Sequence, residues 1–471
     1  MKNINHYCKI VATIGLLDGR EDLIEKLYLA GATVFRMNLS HSSVADNAKK
    51  IKIIRSIEKK YNCSLGVIFD LQGPKLRVGI FKDGEVLLKE GQTFQLDLDA
   101  TPGDNTRVNL PHKEIYEAVE KDHILLFNDG LIRVRVESVS KDKIITTVLN
   151  GGPLSNHKGV NVPDAHLAIS ALTERDIENI KEANELDVDW FALSFVQKPE
   201  DVLLARSLIK SKAGIISKIE KPLAFEHIDK IVEYSDVVMV ARGDLGVEVS
   251  PEKVPVMQRK IIVSCRRAGK PVIVATQMLE SMINNPAPTR AEASDVATAV
   301  YEGVDAVMLS GETASGKYPV EAVSTMRRII NNVEADDKHM LRPESDKKDT
   351  DVSYAITAAA GITAELIDTA DVIVNFTNSG MTTFRTAQNR PCLPILSLTP
   401  HIEVARKMAV VWGVQAYQIN KDLEKFEDIE QEVRENVQKL GLAKKGSKVV
   451  VTAGIPFGET GDTNLLYVIT L

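Results

Sequence analysis

CKIVATIG, VFRMNLS and LGVIFDLQG are short, nearly uninterrupted apolar runs, separated by helical patterns such as DLIEKLYLAGA and VADNAKKIKIIRSIEKKY. Strands that are apolar on both faces belong to a parallel sheet covered by helices, which leaves few folds to choose from. After residue 72 this rhythm stops, and KDGEV, LFNDGLIRVRVESV and KDKIITTVLNGG read as hairpin strands. It resumes with DWFALSFV, GIISKIE, SDVVMVARGD, KPVIVATQ and DAVMLSGE, so three strands precede the interruption and five follow it. Eight such units predict a (β/α)8 barrel split by an inserted β domain. The polar stretch EADDKHMLRPESDKKDTD ends the barrel, and DVIVNF, LPILSL and KVVVTAG predict one more α/β domain. The expected division is a barrel over 1–72 and 169–340, a β-barrel insertion over 73–168, and a C-terminal α/β domain over 350–471.

A chain of 471 residues is too long for one ordinary core, which agrees with several domains. No stretch approaches the roughly 18 to 20 apolar residues needed to cross a bilayer, and MKNINHYCKIVATIG lacks the features of a secretory signal. The expectation is a soluble cytoplasmic protein without membrane partners. A net charge of -7 without a basic run argues against nucleic acid as a partner. Cys8, Cys63, Cys265 and Cys392 lack paired spacing, which argues against a disulfide framework or a zinc site.

Chemistry in a barrel of this kind sits at the carboxyl ends of the strands. The residues expected there are Thr13, Arg36 with Asn38 and Ser40, Asp70, Lys218 with Glu220, Asp244, Thr276 with Gln277, and Ser310 with Glu312. Ionisable groups that close apolar strands need a partner or a ligand. Lys218 and Glu220 share a strand face; the ammonium suits a developing oxyanion and the carboxylate a metal, while an internal ion pair explains them equally well. Asp244, just after Gly243, together with Glu220 suits a hard ion such as magnesium or manganese; alone it also fits a turn or helix cap. Arg36, Asn38 and Ser40 share a face, and the guanidinium fits phosphate or carboxylate, or a satisfied rim network. Thr276 by itself reads as an ordinary strand residue, and His41 as a surface or capping residue.

Taken in order, FRMNLSH, GPKLR, KGVNVP, IISKIE, VARGDLGVE, ATQMLESM, NPAPTRAE and LSGETASGKYP closely resemble the pyruvate kinase family along nearly the whole chain. The resemblance implies a barrel with a β-barrel lid and a C-terminal regulatory domain, a homotetramer, and phosphoryl transfer from phosphoenolpyruvate to ADP, giving pyruvate and ATP. It assigns Arg36 to the transferring phosphoryl group, Lys218 to the enolate oxygen, and Glu220 and Asp244 to a magnesium or manganese ion. Gly243 and Thr276 fall at the substrate carboxylate or its metal environment, with protonation of the enolate through water near Thr276. Asn38, His41, Arg77 and Lys158 fall on the nucleotide side. Hinges are expected around Gly73 and Pro74 and at residues 161–163.

FDLQGPKLR departs from the family's commonest pattern, DTKGPEIR, because Leu71, Gln72 and Lys75 replace threonine, lysine and glutamate. In potassium-dependent relatives the monovalent ion sits among residues matching Asn38, Ser40, Asp70 and the carbonyl of Leu71. The expectation is that the Lys75 ammonium substitutes for that ion, leaving potassium dispensable; the alternative is that Lys75 points to solvent and potassium still binds. TNSGMTT, with Thr377, Ser379, Gly380, Thr382 and Thr383, resembles the family's phosphosugar effector loop, and GIPFGETGDTN its partner loop. An ordinary capped turn is the other reading of TNSGMTT, and the sequence does not choose an effector.

Overall fold

The computed structural model describes residues 6–17, 19–336, 351–419, 425–456 and 463–471. Alternation within the apolar runs sorts each barrel strand into two faces. Ile10 and Ala12 join the layer under the helices, whereas Val11 belongs to the barrel interior with Val34, Ile68, Trp190, Ile216, Met239, Ile273 and Met308. The strands are Lys9–Thr13, Val34–Asn38, Gly66–Asp70, Trp190–Leu193, Gly214–Ile219, Val237–Ala241, Val272–Ala275 and Ala306–Leu309. They form one closed parallel barrel, and the first pairs with the eighth, Lys9 opposite Ala306.

Between the third and fourth barrel strands the chain builds a six-stranded sheet and a two-stranded ribbon. These share a separate core that includes Phe94, Phe127, Val134 and Leu154. The two chain crossings that connect this insertion to the barrel lie against each other. Val78 N–H donates to the Lys158 carbonyl at 3.0 Å, and Val160 N–H donates to the Leu76 carbonyl at 3.0 Å.

The C-terminal region forms a five-stranded sheet, parallel except for its last strand, Leu465–Thr470. It covers the end of the barrel opposite the strand carboxyl ends. Arg406 pairs with Glu58 at 3.0 Å and Arg390 with Asp305 at 3.1 Å, both barrel carboxylates standing ahead of their strands. Tyr7, ahead of the first strand, stacks on Trp412 with ring centroids 4.7 Å apart. Among the described residues, no helix is long and apolar enough to cross a membrane.

Candidate active site

The inward face of each strand carries its parity up to the rim. Two residues beyond Val11, Val34, Ile68, Ala192 and Ile216 stand Thr13, Arg36, Asp70, Ser194 and Lys218, and all five meet. Asp70, 1% exposed, is the hub of the cluster. Its Oδ2 accepts from Arg36 Nε at 2.6 Å, and its Oδ1 lies 3.2 Å from Lys218 Nζ and accepts from Ser194 Oγ at 3.4 Å. Arg36 also donates from Nη1 to Thr13 Oγ1 at 3.0 Å. The Lys218 ammonium further donates to Ser194 Oγ at 2.7 Å and stands 2.8 Å from Glu220 Oε1.

Charge balance in this buried cluster is set by neighbours. Burial opposes the charge on Asp70, yet Lys218 and Arg36 outweigh it and hold its carboxyl below the usual range. Burial likewise opposes the Lys218 charge, and Asp70 and Glu220 together raise its pKa above that of a free lysine. Glu220 has the opposite outcome: burial, reinforced by Asp244, pushes its carboxyl up to about 7 against the pull of Lys218.

Glu220 divides its two oxygens. Its Oε2 accepts the Phe195 N–H at 2.7 Å, while the buried Oε1 faces the Lys218 ammonium 2.8 Å away. A half-buried Asp244 lines the adjoining cleft with Phe195, Gln197 and Lys221. The Glu220 carboxylate and this second carboxylate fit a divalent ion. Two carboxylates suit a hard ion that keeps substrate oxygens and water in its shell.

Asp244 reaches this cleft on a helix, Arg242–Glu248, not on the strand end that the sequence suggested; the strand stops at Ala241. Gly243 N–H donates to Thr276 Oγ1 at 2.7 Å, and a Cβ at Gly243 would come within 3.3 Å of that oxygen. Thr276 and Gln277 have φ of 70° and 54°, backbone that is costly for a β-branched residue. Arg242 holds them there: Nη2 donates to the Thr276 carbonyl at 2.8 Å and Nη1 pairs with Asp295 at 2.7 Å. Glu312 is a backbone cap, accepting from Leu279 N–H at 3.1 Å and Ser310 N–H at 2.8 Å.

The other expected site residues are more scattered. Asn38 Oδ1 accepts the Ser40 N–H at 2.9 Å, and His41 is exposed beyond it. Arg77 and Lys158 stand on the paired crossings, with Arg77 Nη1 donating to the His157 carbonyl at 2.8 Å. Lys75 is exposed, lines the cleft with Asp244, and its ammonium has no ion pair among the described residues. Leu71 is buried, and its carbonyl accepts from Ser194 Oγ at 2.7 Å. In the C-terminal sheet, Thr377 Oγ1 accepts the Gly380 N–H at 2.8 Å, at the start of Met381–Gln388. Thr382 bonds Thr463 at 2.6 Å, Thr383 bonds Ser397 at 2.8 Å, and Ser379 is exposed. Residues 457–462 of the expected partner loop lie outside the described residues.

Ser194 and Arg242 escaped the sequence reading. The parity rule would have found Ser194, because it follows the inward Ala192 by two residues.

Comparison with known proteins gives concordant matches over nearly the whole chain. The family model for the pyruvate kinase barrel domain matches residues 5–323, and that for the pyruvate kinase alpha/beta domain matches residues 354–469. A pyruvate kinase of Agrobacterium vitis is 47% identical, covering 99% of this chain and 97% of its own. One from Methylorubrum extorquens is 45% identical over 97% of this chain and 96% of its own. The crystal structure of a pyruvate kinase from Cryptosporidium parvum aligns with a TM-score of 0.91 at 32% identity, covering 100% of this chain and 97% of that one.

Proposed function

The chain belongs to the pyruvate kinase family and transfers the phosphoryl group of phosphoenolpyruvate to ADP, and from that premise we propose how its rim residues divide the work. Phosphoryl transfer asks little covalent chemistry of the protein, so alignment and charge neutralisation carry the rate. Arg36, anchored through Nε and Nη1, presents the rest of its guanidinium to the transferring group. Lys218 stabilises the negative charge that grows on the enolate oxygen as phosphorus leaves. Three partners already fix its ammonium, so little reorganisation is needed when that charge develops. Thr276 and the Gly243 amide shape the carboxylate end of the substrate, and Thr276 lies where a water could protonate the enolate carbon. Asn38, His41, Arg77 and Lys158 serve the nucleotide.

The observation that carries the metal assignment is the pairing of two carboxylates, the buried Glu220 and Asp244, close enough that the charge of Asp244 helps raise the Glu220 pKa. A magnesium or manganese ion held by these two carboxylates would neutralise charge on substrate oxygens. Glu220→Ala is expected to weaken Mn2+ binding, followed by electron paramagnetic resonance without turnover, at least about tenfold. Wild-type Mn2+ affinity in that variant would remove Glu220 as a ligand.

Family members in general depend on a divalent metal and on potassium. Potassium is dispensable in this chain, with the exposed Lys75 ammonium, which lines the cleft beside Asp244, supplying the positive charge. What supports this is the replacement of glutamate by Lys75 and the use of the matching oxygens: Asn38 Oδ1, both Asp70 oxygens and the Leu71 carbonyl each accept from a protein donor. Full rate is therefore expected in buffer free of sodium and potassium, with little gain on adding potassium, and Lys75→Glu should create a potassium requirement. Strong activation of the unmodified enzyme by potassium would refute the substitution.

The turn from Thr377 to Thr383 is the proposed seat of a phosphosugar effector, supported by the exposed Ser379 hydroxyl at a helix start. A cytoplasmic homotetramer is the proposed working form.

A further inference from the structure

Glu248 is the last residue of the Arg242–Glu248 helix, four positions after Asp244, and is 4% exposed. Two donors from different parts of the molecule converge on its Oε1: Lys221 Nζ at 2.5 Å and Asn161 Nδ2 at 2.6 Å. Lys221 directly follows Glu220, and its ammonium stands 5.8 Å over the ring of Phe195, whose N–H holds Glu220. Asn161 belongs to the crossing by which the insertion returns to the barrel. The insertion approaches the same helix a second time, where a Cβ at Gly130 would lie 3.6 Å from Val247 Cγ1.

A buried carboxylate requires donors, and here a single oxygen ties the root of the insertion to two segments that leave neighbouring barrel strands. One segment carries Glu220, one carries Gly243 and Asp244, and one is the root of the insertion. We propose that Glu248 is a positioning residue that registers the inserted domain against the two metal-site carboxylates, so that engagement of Asn161 fixes the placement of Asp244. This rests on the assignment of Glu220 and Asp244 as metal ligands. Rigidity supplied by the Lys221 and Glu248 pair alone would make no use of Asn161, and that difference makes the idea testable.

The full-length enzyme would be compared with Asn161→Asp, Asn161→Asp/Glu248→Gln, Asn161→Ala and Asp244→Ala. The measurements are Mn2+ binding without turnover, hydrogen exchange of amides 242–248, and kcat and KM for ADP. Asn161→Asp sets one carboxylate against another; it should weaken Mn2+ binding about tenfold, the factor one charge-assisted hydrogen bond carries, and speed exchange in the helix. The double variant restores an amide facing a carboxylate and should recover both readouts to within a few-fold of wild type. Asn161→Ala, which only deletes a bond, should show the same changes at smaller size with an unchanged circular dichroism spectrum, and should raise KM for ADP more than it lowers kcat. Wild-type Mn2+ affinity and exchange in Asn161→Asp, or a double variant no better than Asn161→Asp, would overturn the proposal. Unchanged Mn2+ affinity in Asp244→Ala would instead overturn the ligand assignment, and the exchange rates would still decide the role of Glu248.

Discussion

Lys218→Met should lower kcat by at least about a thousandfold while leaving KM for phosphoenolpyruvate within a few-fold, because its charge is needed most when the enolate forms. The methionine keeps much of the side chain's length and apolar stem, so packing against the barrel is largely retained. What is lost is a cation that Asp70, Ser194 and Glu220 hold in place before substrate arrives. Steady-state kinetics with a coupled assay for pyruvate separates the two parameters. A normal kcat in this variant would exclude Lys218 as the stabilising group, and a large rise in KM at unchanged kcat would make it a ground-state binding residue.

Asp70→Asn is expected to damage both stability and turnover. Asp70 is the shared counter-charge of Arg36 and Lys218, whose side chains are 11% and 10% exposed, and the amide leaves both cations buried without a carboxylate between them. Removing one partner from a buried charge cluster costs about 3–5 kcal/mol, which a fall in the denaturant midpoint of the barrel would report. The double variant Asp70→Asn/Lys218→Met should be less destabilised than the sum of the singles, because the second change removes one of the stranded cations. Additive effects would show that the cluster is not coupled. Burial alone would raise the Asp70 pKa, but Lys218 and Arg36 bring it below its ordinary value, so the carboxylate's contribution is complete above about pH 4 and is lost as pH falls through the native pKa.

Much of this cluster was legible because strand parity is a local rule. Arg36, Asp70 and Lys218 each follow an inward apolar residue by two positions, and a charge at the end of an apolar run is conspicuous. Ser194 obeys the same rule and escaped because Phe195 and Val196 carry the apolar run DWFALSFV past it, which hides the strand end. Asp244 was expected at a strand end because it follows the apolar run SDVVMVA just after Gly243; the chain instead turns into a helix at Arg242, whose side chain reaches the Thr276 carbonyl and Asp295. Proximity in sequence also misleads at Asp70. Lys75 is five residues away, yet the partners of Asp70 come from Arg36, Ser194 and Lys218 on other strands, while the chain beyond Gly73 leaves for the insertion. Pairings of that kind depend on barrel closure and register, which no single stretch encodes.

The outgoing and returning crossings of the insertion are tied to each other by backbone hydrogen bonds, from Val78 to Lys158 and from Val160 to Leu76. Barrel closure is therefore indifferent to how much chain lies between them, and a lineage could lengthen, shorten or exchange that chain without disturbing the eight-stranded frame. Asn161 and Glu248 are then the point at which such drift meets chemistry: on the positioning role proposed for Glu248, the size of the insertion is free to change while its foothold on the rim is held.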